Sequence, residues 1–294
     1  MALTTKHTKG SGTLHMSAFN ATGDVSSTSV LIAHFRALES TRDDALFEDP
    51  LASALVEASG LPVGQAKLEH VITSRVYESV AARTRYLDDR IEAAVSRGAR
   101  QVVLPAAGLD TRAYRLGLPD DVAFFEVDLE NVFAFKEPVL EQSNAKATGP
   151  RSVVPADLTG DWVTQLTAAG FDADVPTVWV LEGILMYLTD EQNDQILDEL
   201  SAVSAPGSEL LFVSFAPGMI AEEQTKELAG MATAAGIGFK SHVADPVAWV
   251  GARGWVIADQ TTIKEFGATI GRDVPYDEAQ FGPVTWLVHA IRAE

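Results

Sequence analysis

A turn of small residues and three acidic residues stand at the ends of successive apolar segments between residues 101 and 187. The turn reads Pro105-Ala106-Ala107-Gly108, and Asp128 lies 20 residues after its glycine. Sheets that bind nucleotides use this spacing to place a carboxylate on the two ribose hydroxyls. The alternative role for Asp128 is to cap the helix that follows it. The spacing favours the ribose role, although the turn departs twice from a full G-x-G-x-x-G motif.

Asp157 and Glu182 follow the next two apolar segments. Asp157 could accept a hydrogen bond from an exocyclic amino group, with Leu158 packed on the base, or it could form the turn before a helix. Glu182 emerges directly from the segment VWVL. A carboxylate beside a buried strand is costly unless it is paired or faces a wet cleft. Glu182 is therefore the residue whose position most needs a functional explanation.

The histidines, cysteines and tyrosines indicate little nucleophilic or metal chemistry. The 6 histidines form no H-x-x-x-H or H-x-E pattern, so the sequence predicts no metal site. With 0 cysteines, a thiol nucleophile and a disulfide framework are excluded. His242 is either a loop residue or a base beside a substrate. Tyr187, just past Glu182, is either an orienting hydroxyl or part of the core.

After residue 100, short apolar segments separated by segments with a helical pattern predict strands that alternate with helices. The predicted strands are Gln101–Leu104, Ala123–Asp128, Ser152–Pro155, Thr177–Leu181, Glu209–Phe215, Trp255–Asp259 and Thr285–Ile291. The predicted helices centre on Thr111–Leu116, Asn131–Gln142, Asp161–Ala169, Asp190–Val203, Ala221–Ala235 and Asp245–Ala252. Continuous apolar strands alternating with helices predict an α/β, doubly wound parallel sheet, whose ligand crevice lies at the carboxyl ends of the strands.

The chain before residue 100 has a helical pattern without strand signals. Asp49-Pro50 is predicted to open a helix that Gly60 closes, and a longer helix is predicted from Ser74 or Val76 to Arg97. We expect a flexible arm over residues 1–25 and one domain over residues 26–294, with a helical cap at 26–99 and the α/β core at 100–294.

Composition describes a globular chain with a strong acidic excess. The 294 residues are 47% hydrophobic, and 22 Lys+Arg stand against 41 Asp+Glu, for a net charge of −19. That charge disfavours nucleic acid as a partner, because phosphates repel it. No segment has a signal-peptide core or the apolar length of a membrane span, so the sequence predicts a cytoplasmic protein without membrane partners.

Several motifs in sequence order resemble one family. LPAAGLDTRAYRL, FEVDLENVFAFK, VPADL and VLEGILMYL are similar to motifs of the leucine carboxyl methyltransferase-like family of S-adenosylmethionine-dependent methyltransferases. The resemblance extends from about Ser29, through ARTRYLDD, to WLVHAIR at the end. It implies a class I methyltransferase sheet of seven strands, the last antiparallel, under an N-terminal helical cap, with S-adenosyl-L-methionine as cofactor. The family includes O-methyltransferases of tetracenomycin-type polyketide pathways.

The resemblance also implies roles at the methionine end of the cofactor. Arg83 would pair with the methionine carboxylate, Glu182 would reach the amino group, and Gly108 would lie against the amino acid or ribose portion. A solvated helix face is the alternative for Arg83. Ala106 departs from the family, where many members have the first glycine of a G-A-G turn. Alanine fits there if its φ is negative.

At the adenosine end, the resemblance implies four contacts. Asp128, followed by Leu129, would hold the ribose diol, and Asp157 and Leu158 would contact the adenine.

The acceptor predicted from these features is a carboxylate of a small, apolar, polyketide-like acid, which would become a methyl ester. A carboxylate is already ionised at neutral pH, whereas a phenol, with a pKa of about 10, would benefit from a base. Tyr187, Arg112 and His242 are the candidates to orient it. Residues Gly218–Lys240 and Phe266–Gly282 are predicted to cover the acceptor as a weakly polar lid.

Other functions remain open at this point. Within the enzyme class they are methylation of a phenolic hydroxyl in secondary metabolism, such as antibiotic biosynthesis, and methylation of a protein's terminal carboxylate. A nicotinamide-dependent dehydrogenase fits the fold, but the missing third glycine argues against it. A catalytically silent cofactor-binding protein is the alternative outside the enzymes.

Overall fold

The computed structural model describes residues 26–61, 69–216, 239–276, 278–281 and 283–293. The α-helices are α1 (Ser27–Glu39), α2 (Ala52–Ser59), α3 (Glu69–Arg97), α4 (Arg112–Arg115), α5 (Glu130–Gln142), α6 (Trp162–Ala168), α7 (Asp190–Ala202), α8 (Pro246–Gly251), α9 (Ile263–Thr269) and α10 (Glu278–Phe281). The strands are β1 (Gln101–Pro105), β2 (Ala123–Asp128), β3 (Arg151–Pro155), β4 (Thr177–Leu181), β5 (Glu209–Phe215), β6 (Trp255–Thr262) and β7 (Thr285–Arg292). A short 3-10 helix, Leu185–Tyr187, follows β4.

These strands form one mixed sheet in the order β3-β2-β1-β4-β5-β7-β6. Strands β1 to β5 pair in parallel, whereas β7 is antiparallel to both β5 and β6. The α/β, doubly wound seven-stranded sheet with an antiparallel last strand is therefore confirmed. Because β1 lies between β2 and β4, the winding direction switches there, and a crevice opens at the carboxyl ends of β1 and β4.

Side chains that alternate along each strand build a core on both faces of the sheet. Val102 and Leu104 face the layer that contains α3, α4 and α9, which we call the α3 face. Val103 faces the opposite layer of α6, α7 and α8, which we call the α7 face. Period-two alternation explains why continuous apolar strands lie buried between two helical layers.

Helices α1 and α2 cover one end of the sheet through a smaller apolar cluster. Val30 and Leu55 are fully buried there against Leu109, which follows the glycine turn. Buried Arg36 of α1 donates from Nε to Asp49 Oδ2 at 2.8 Å and from Nη2 to the Leu109 carbonyl at 2.5 Å. Helix α1 is thereby attached to the turn that leaves β1.

Two predicted helix starts differ from the structure. Helix α3 begins at Glu69 rather than at Ser74 or Val76, because backbone hydrogen bonding, not an apolar pattern, sets where a helix begins. Helix α2 begins at Ala52 rather than at Asp49-Pro50. Asp49 nevertheless caps its first turn, since Asp49 Oδ1 accepts the Ala52 N–H at 3.2 Å.

The described part of the second predicted lid segment, which includes the end of helix α9, packs with the core of the α3 face. Val274 and Tyr276 are buried, and a Cβ on Gly267 would stand only 2.7 Å from Val274 Cγ2. Residues 217–238, which hold the predicted helix Ala221–Ala235 and most of the other lid segment, lie outside the described residues. None of the described helices has both the length and the apolar character needed to cross a membrane.

Candidate functional site

A cavity of about 230 Å³ opens at the carboxyl ends of β1 and β4. Helices α1 and α3 form two of its walls, through Ser29 and Ile32 on α1 and through Ser79 and Arg83 on α3. The glycine turn and Glu182 close one end. Aromatic residues from later in the chain also line the cavity. We call the lining formed by Arg83, the glycine turn and Glu182 its polar half, and the lining formed by the aromatic residues its apolar half.

The glycine turn holds two residues in the left-handed region. Ala106 has φ 57° and Gly108 has φ 51°, so the condition of a negative φ at Ala106 is not met. The turn is fixed by the Ala107 N–H, which donates to the Val127 carbonyl at 3.1 Å. A Cβ on Gly108 would lie 3.4 Å from Ser29 Oγ, so glycine lets α1 approach the turn closely.

Asp128 at the end of β2 is bound to this turn. One carboxylate oxygen accepts the Gly108 N–H and the other accepts the Leu129 N–H, both at 2.7 Å. Burial raises the pKa of the Asp128 carboxyl, although these two backbone N–H groups act against the shift. A carboxylate offers about four lone-pair sites, so the group retains capacity for two further hydrogen bonds.

Glu182, the first residue after β4, lies between two guanidinium groups. Arg83 Nε donates to its Oε1 at 2.9 Å, and Arg112 Nη1 donates to its Oε2 at 2.8 Å. Burial by itself would raise the pKa of the Glu182 carboxyl, but Arg112 and Arg83 together outweigh burial and lower it. A largely buried, ionised carboxylate therefore stands at the cavity wall, and its two arginine partners offset the cost of that burial.

Arg112 lines the cavity, but its guanidinium is engaged by carboxylates. The side chain is 2% exposed, Nε donates to Asp88 Oδ1 at 2.6 Å, and Nη1 also donates to Asp110 Oδ2. Arg115 holds the same Asp88 with two hydrogen bonds. This geometry suits Arg112 to holding Glu182 rather than to orienting an acceptor.

Three further candidates follow the ends of β2 and β3, and none of them is among the residues that line the cavity. Leu129 is 47% exposed, which is unusual for a large apolar side chain in this structure. Asp157 is exposed and forms a local turn, accepting hydrogen bonds from the Thr159 N–H at 2.9 Å and its hydroxyl at 2.7 Å. The Leu158 side chain is buried among the core residues of the α7 face, so it does not stand open for packing on a base.

The apolar half of the cavity is formed by rings from separate segments. The Phe239 ring lies 5.8 Å from the Tyr187 ring and 5.0 Å from the Phe215 ring, centroid to centroid. Tyr276 closes the wall, and Ser79 Oγ donates to its hydroxyl at 3.3 Å. Burial raises the pKa of the Tyr187 hydroxyl, so Tyr187 is a neutral hydrogen-bond donor at neutral pH.

His242 is half-buried in the segment before α8 and is not among the residues that line the cavity. In the part of the chain that the structure describes, no three His, Asp or Glu side chains are grouped so that they could hold a metal ion.

The sequence model for leucine carboxyl methyltransferases matches residues 29–201 of this chain. The chain belongs to the leucine carboxyl methyltransferase family. This methyltransferase depends on S-adenosyl-L-methionine, as its relatives do by name. The matched residues, more than half of the chain, include Arg83, the glycine turn, Asp128 and Glu182.

Relatives in bacteria agree with that membership. The methyltransferase is 39% identical over 272 residues to a protein of Streptomyces avermitilis named as an S-adenosyl-L-methionine-dependent methyltransferase, covering 90% of this chain and 94% of the relative. A Streptomyces coelicolor protein of the same name is 39% identical over 271 residues, with the same coverage. Each of the two relatives is similar to this chain over nearly the whole of its own length.

In solved structures the likeness concerns the fold alone. The crystal structure of a DUF574 family protein from Streptomyces avermitilis superposes with a TM-score of 0.62 at 15% identity, covering 88% of this chain and 96% of that chain. A methyltransferase structure from Thermobifida fusca superposes with a TM-score of 0.55 at 16% identity, covering 90% and 95%.

Sequence reasoning missed several residues of the methyltransferase's cavity. Phe215, Phe239 and Tyr276 come from three distant segments, and no local motif singled them out. The available signal was weak: Phe239 and Tyr276 are aromatic residues inside the two segments expected to cover the acceptor. Asp88 and Asp110 were also missed, because their role depends on the position of Arg112.

Proposed function

We propose that the methyltransferase converts a carboxylate of a small, largely apolar acid, such as a polyketide-like acid of secondary metabolism, into its methyl ester. The observation that carries this proposal is the apolar half of the cavity. Its wall combines the rings of Tyr187, Phe215 and Phe239 with hydroxyl groups, including those of Ser79 and Tyr276. Such a wall favours a small apolar molecule with one polar group over a charged peptide surface.

The polar half of the cavity fits the amino-acid end of S-adenosylmethionine. This end carries one ammonium and one carboxylate group, and the wall offers the ionised Glu182 beside the guanidinium of Arg83. Glu182 would accept from the ammonium group. Arg83 uses Nε for Glu182, which leaves its terminal nitrogens for the methionine carboxylate.

The turn and the end of β2 fit the adenosine end. Asp128 has lone pairs left for the ribose diol, since each oxygen carries one described backbone hydrogen bond. The exposed Leu129 side chain would pack on the adenine, and burial of its apolar surface explains its position there. Asp157 and the backbone at Leu158 complete the proposed adenine contacts, while Ala106 and Gly108 form the floor.

When bound, S-adenosylmethionine would supply an electrophilic methyl group. The acceptor oxygen would bond to the methyl carbon as the bond from that carbon to the sulfonium sulfur breaks, and S-adenosylhomocysteine would leave. The chain's contribution is alignment and exclusion of water. Tyr187, with its raised pKa, donates a hydrogen bond to the acceptor without removing a proton from it. A carboxylate requires no proton removal at neutral pH, so a wall of hydroxyl donors is sufficient for it.

The proposal is tested by screening aryl and polyketide-like acids and phenols with S-adenosylmethionine, using mass spectrometry to detect the gain of one methyl group. Mild alkali is then applied to the product, because a methyl ester is hydrolysed whereas an aryl methyl ether survives. We expect an alkali-labile product, a rate that is level from about pH 6 to about pH 8, and no effect of a chelator.

An alkali-stable product would instead identify a phenolic acceptor. So would a rate that climbs about tenfold per pH unit through neutrality, since proton removal would then limit the reaction.

A further inference from the structure

Glu182, the carboxylate proposed to bind the cofactor's ammonium group, is one member of a largely buried cluster of six charged side chains. Three guanidinium groups alternate with three carboxylates, so that each charge has an opposite neighbour; the members are Arg83, Arg112, Arg115, Asp88, Asp110 and Glu182. The groups that face Glu182 come from α3, from α4 and from the loop before α4. Only Arg83 and Glu182 have proposed contacts with the cofactor, which leaves four charged groups without a role.

Arg112 occupies the centre of the cluster and contacts three of its carboxylates. It is 2% exposed and donates to carboxylates from three different parts of the chain. Its Nε is directed by Asp88 Oδ1 at 2.6 Å, and this aims Nη1 at Glu182 Oε2. Asp88 is in turn fixed by Arg115, at 2.5 and 3.0 Å.

We propose that Arg112, directed by Asp88, is a positioning residue that fixes the Glu182 carboxylate, and through it Arg83, in the orientation that receives the amino-acid end of S-adenosylmethionine. The inference rests on the proposed cofactor roles of Arg83 and Glu182. It replaces the sequence expectation that Arg112 orients the acceptor. Because Glu182 accepts from both guanidiniums at once, its two oxygens cannot rotate without breaking one of two charged hydrogen bonds.

The ionisation of Glu182 depends on the same geometry. Burial raises the pKa of Glu182, and the guanidiniums of Arg112 and Arg83 lower it, with Arg112 having the larger effect. Asp110 acts in the same direction as burial. Loss of Arg112 would leave three carboxylates with two guanidiniums, so the pKa of Glu182 would rise. A protonated Glu182 loses its attraction for an ammonium group.

The experiment compares two ligands by calorimetry. S-Adenosylhomocysteine carries the amino-acid end, whereas 5′-methylthioadenosine has the same adenosine and thioether without it. We expect Asp88→Asn and Arg112→Lys each to weaken S-adenosylhomocysteine binding about tenfold, because a charged hydrogen bond is misdirected. The affinity for 5′-methylthioadenosine should stay within about twofold.

A matched control is Glu209→Gln. Glu209 is a buried carboxylate that likewise accepts two guanidinium hydrogen bonds, in its case both from Arg97 of α3. It stands at the amino end of β5 and is not among the residues that line the cavity. Glu209→Gln should lower the unfolding temperature without changing either affinity. This separates an effect on the cofactor from a general loss of stability.

The wild-type protein provides a test that needs no variant. The ratio of its affinities for the two ligands should stay level from about pH 8 to about pH 5, because Glu182 remains ionised there. In Arg112→Gln, which removes the positive charge, the same ratio should fall as the pH is lowered through this range. A wild-type ratio that already falls in this range would contradict the inference.

The remaining outcomes are also decisive. Equal losses for both ligands in Asp88→Asn would show a structural role only, and unchanged S-adenosylhomocysteine binding in both variants would overturn the inference. Glu182→Gln distinguishes the two levels of the proposal. If it binds S-adenosylhomocysteine as the wild type does, the cofactor role is wrong; if it alone loses affinity, only the positioning role is wrong.

Discussion

Ala106 has the least favourable backbone conformation at the site. It adopts φ 57°, where a Cβ contacts the following carbonyl oxygen at a cost of about 1–2 kcal/mol. The turn imposes this geometry because Ala107 and Gly108 donate their N–H groups to β2 and to Asp128. Strain is therefore retained where the chain is proposed to pass beneath the cofactor.

Ala106→Gly should raise the free energy of unfolding by about 0.5–1 kcal/mol, since relief of strain exceeds the added entropy of the unfolded chain. Ala107→Gly is the matched control, because Ala107 is not among the residues with positive φ. It should lower stability by a similar amount. Urea unfolding measures both, and equal destabilisation by the two changes would contradict the strain at Ala106.

Arg83 is expected to be specific in its shape as well as its charge. Arg83→Lys should weaken S-adenosylmethionine binding by about tenfold or more, because an ammonium group cannot bind Glu182 and a second carboxylate with a planar fork. The control is Arg90→Lys on the same helix, since Arg90 pairs with Asp259 on β6 instead. Titration of both variants with S-adenosylmethionine measures the two affinities. Equal affinities would show that Arg83 does not belong to the cofactor site.

Asp128 should make cofactor binding sensitive to mild acid. Asp128→Asn should weaken S-adenosylmethionine binding by about 1–3 kcal/mol, because the ribose hydroxyls lose a charged acceptor. Burial raises the pKa of Asp128, so the ionised form is lost at a higher pH than for an ordinary aspartate. Wild-type affinity for 5′-methylthioadenosine should therefore decline as the pH falls, and that decline should be absent from Asp128→Asn.

At the scale of elements, a buried ion pair between Arg36 and Asp49 contributes to the attachment of helix α1. Arg36 and Asp49 are 9% and 0% exposed in their side chains, and Arg36 also binds the Leu109 carbonyl. Arg36→Met should lower the free energy of unfolding by about 3–5 kcal/mol, because Asp49 remains buried without its partner. Arg42→Met, in an exposed ion pair beyond the end of α1, should have a much smaller effect.

The stability that Arg36→Met loses relative to the wild type should depend on pH. Burial would raise the pKa of Asp49, but Arg36 and Arg115 outweigh it and lower the pKa below 3.8. In the wild type Asp49 therefore contributes stability above its unfolded pKa, and this is lost as the pH falls toward the folded value. Without Arg36, burial favours the protonated form of the Asp49 carboxyl. The difference in free energy of unfolding between the wild type and Arg36→Met should therefore narrow as the pH falls from about 7 to about 4.

At the scale of the whole molecule, the two faces of the sheet should unfold together. All 5 tryptophans belong to or pack against the core of the α7 face, whereas the cavity lies against α1 and α3. S-Adenosylhomocysteine at about 100 times its Kd should add about 2.7 kcal/mol to stability. Tryptophan fluorescence and far-ultraviolet circular dichroism should report one unfolding transition, and S-adenosylhomocysteine should shift its midpoint equally in both signals. A shift in only one signal would indicate two independently stable parts.

The strands and the acidic residues at their ends were predictable from sequence because their signals are local. The four strands that lead to the site, β1 to β4, lie within one residue of their predicted bounds. The apolar segments of β1, β2 and β4 are recognisable without knowledge of their neighbours, since these strands are buried on both faces. The family motifs, confirmed over residues 29–201, coincide with the same strand ends.

What only the tertiary structure decided is which side chains meet. Glu182 is held by Arg83, 99 residues before it, and by Arg112, 70 residues before it. The wall of Phe215, Phe239 and Tyr276 likewise joins segments that share no local pattern, and the positive φ of Ala106 follows from hydrogen bonds to β2. Hydrophobic periodicity indicates which face of an element is buried. Which side chains form ion pairs or share a cavity wall depends on how distant elements pack against one another, and no local segment of sequence determines that packing.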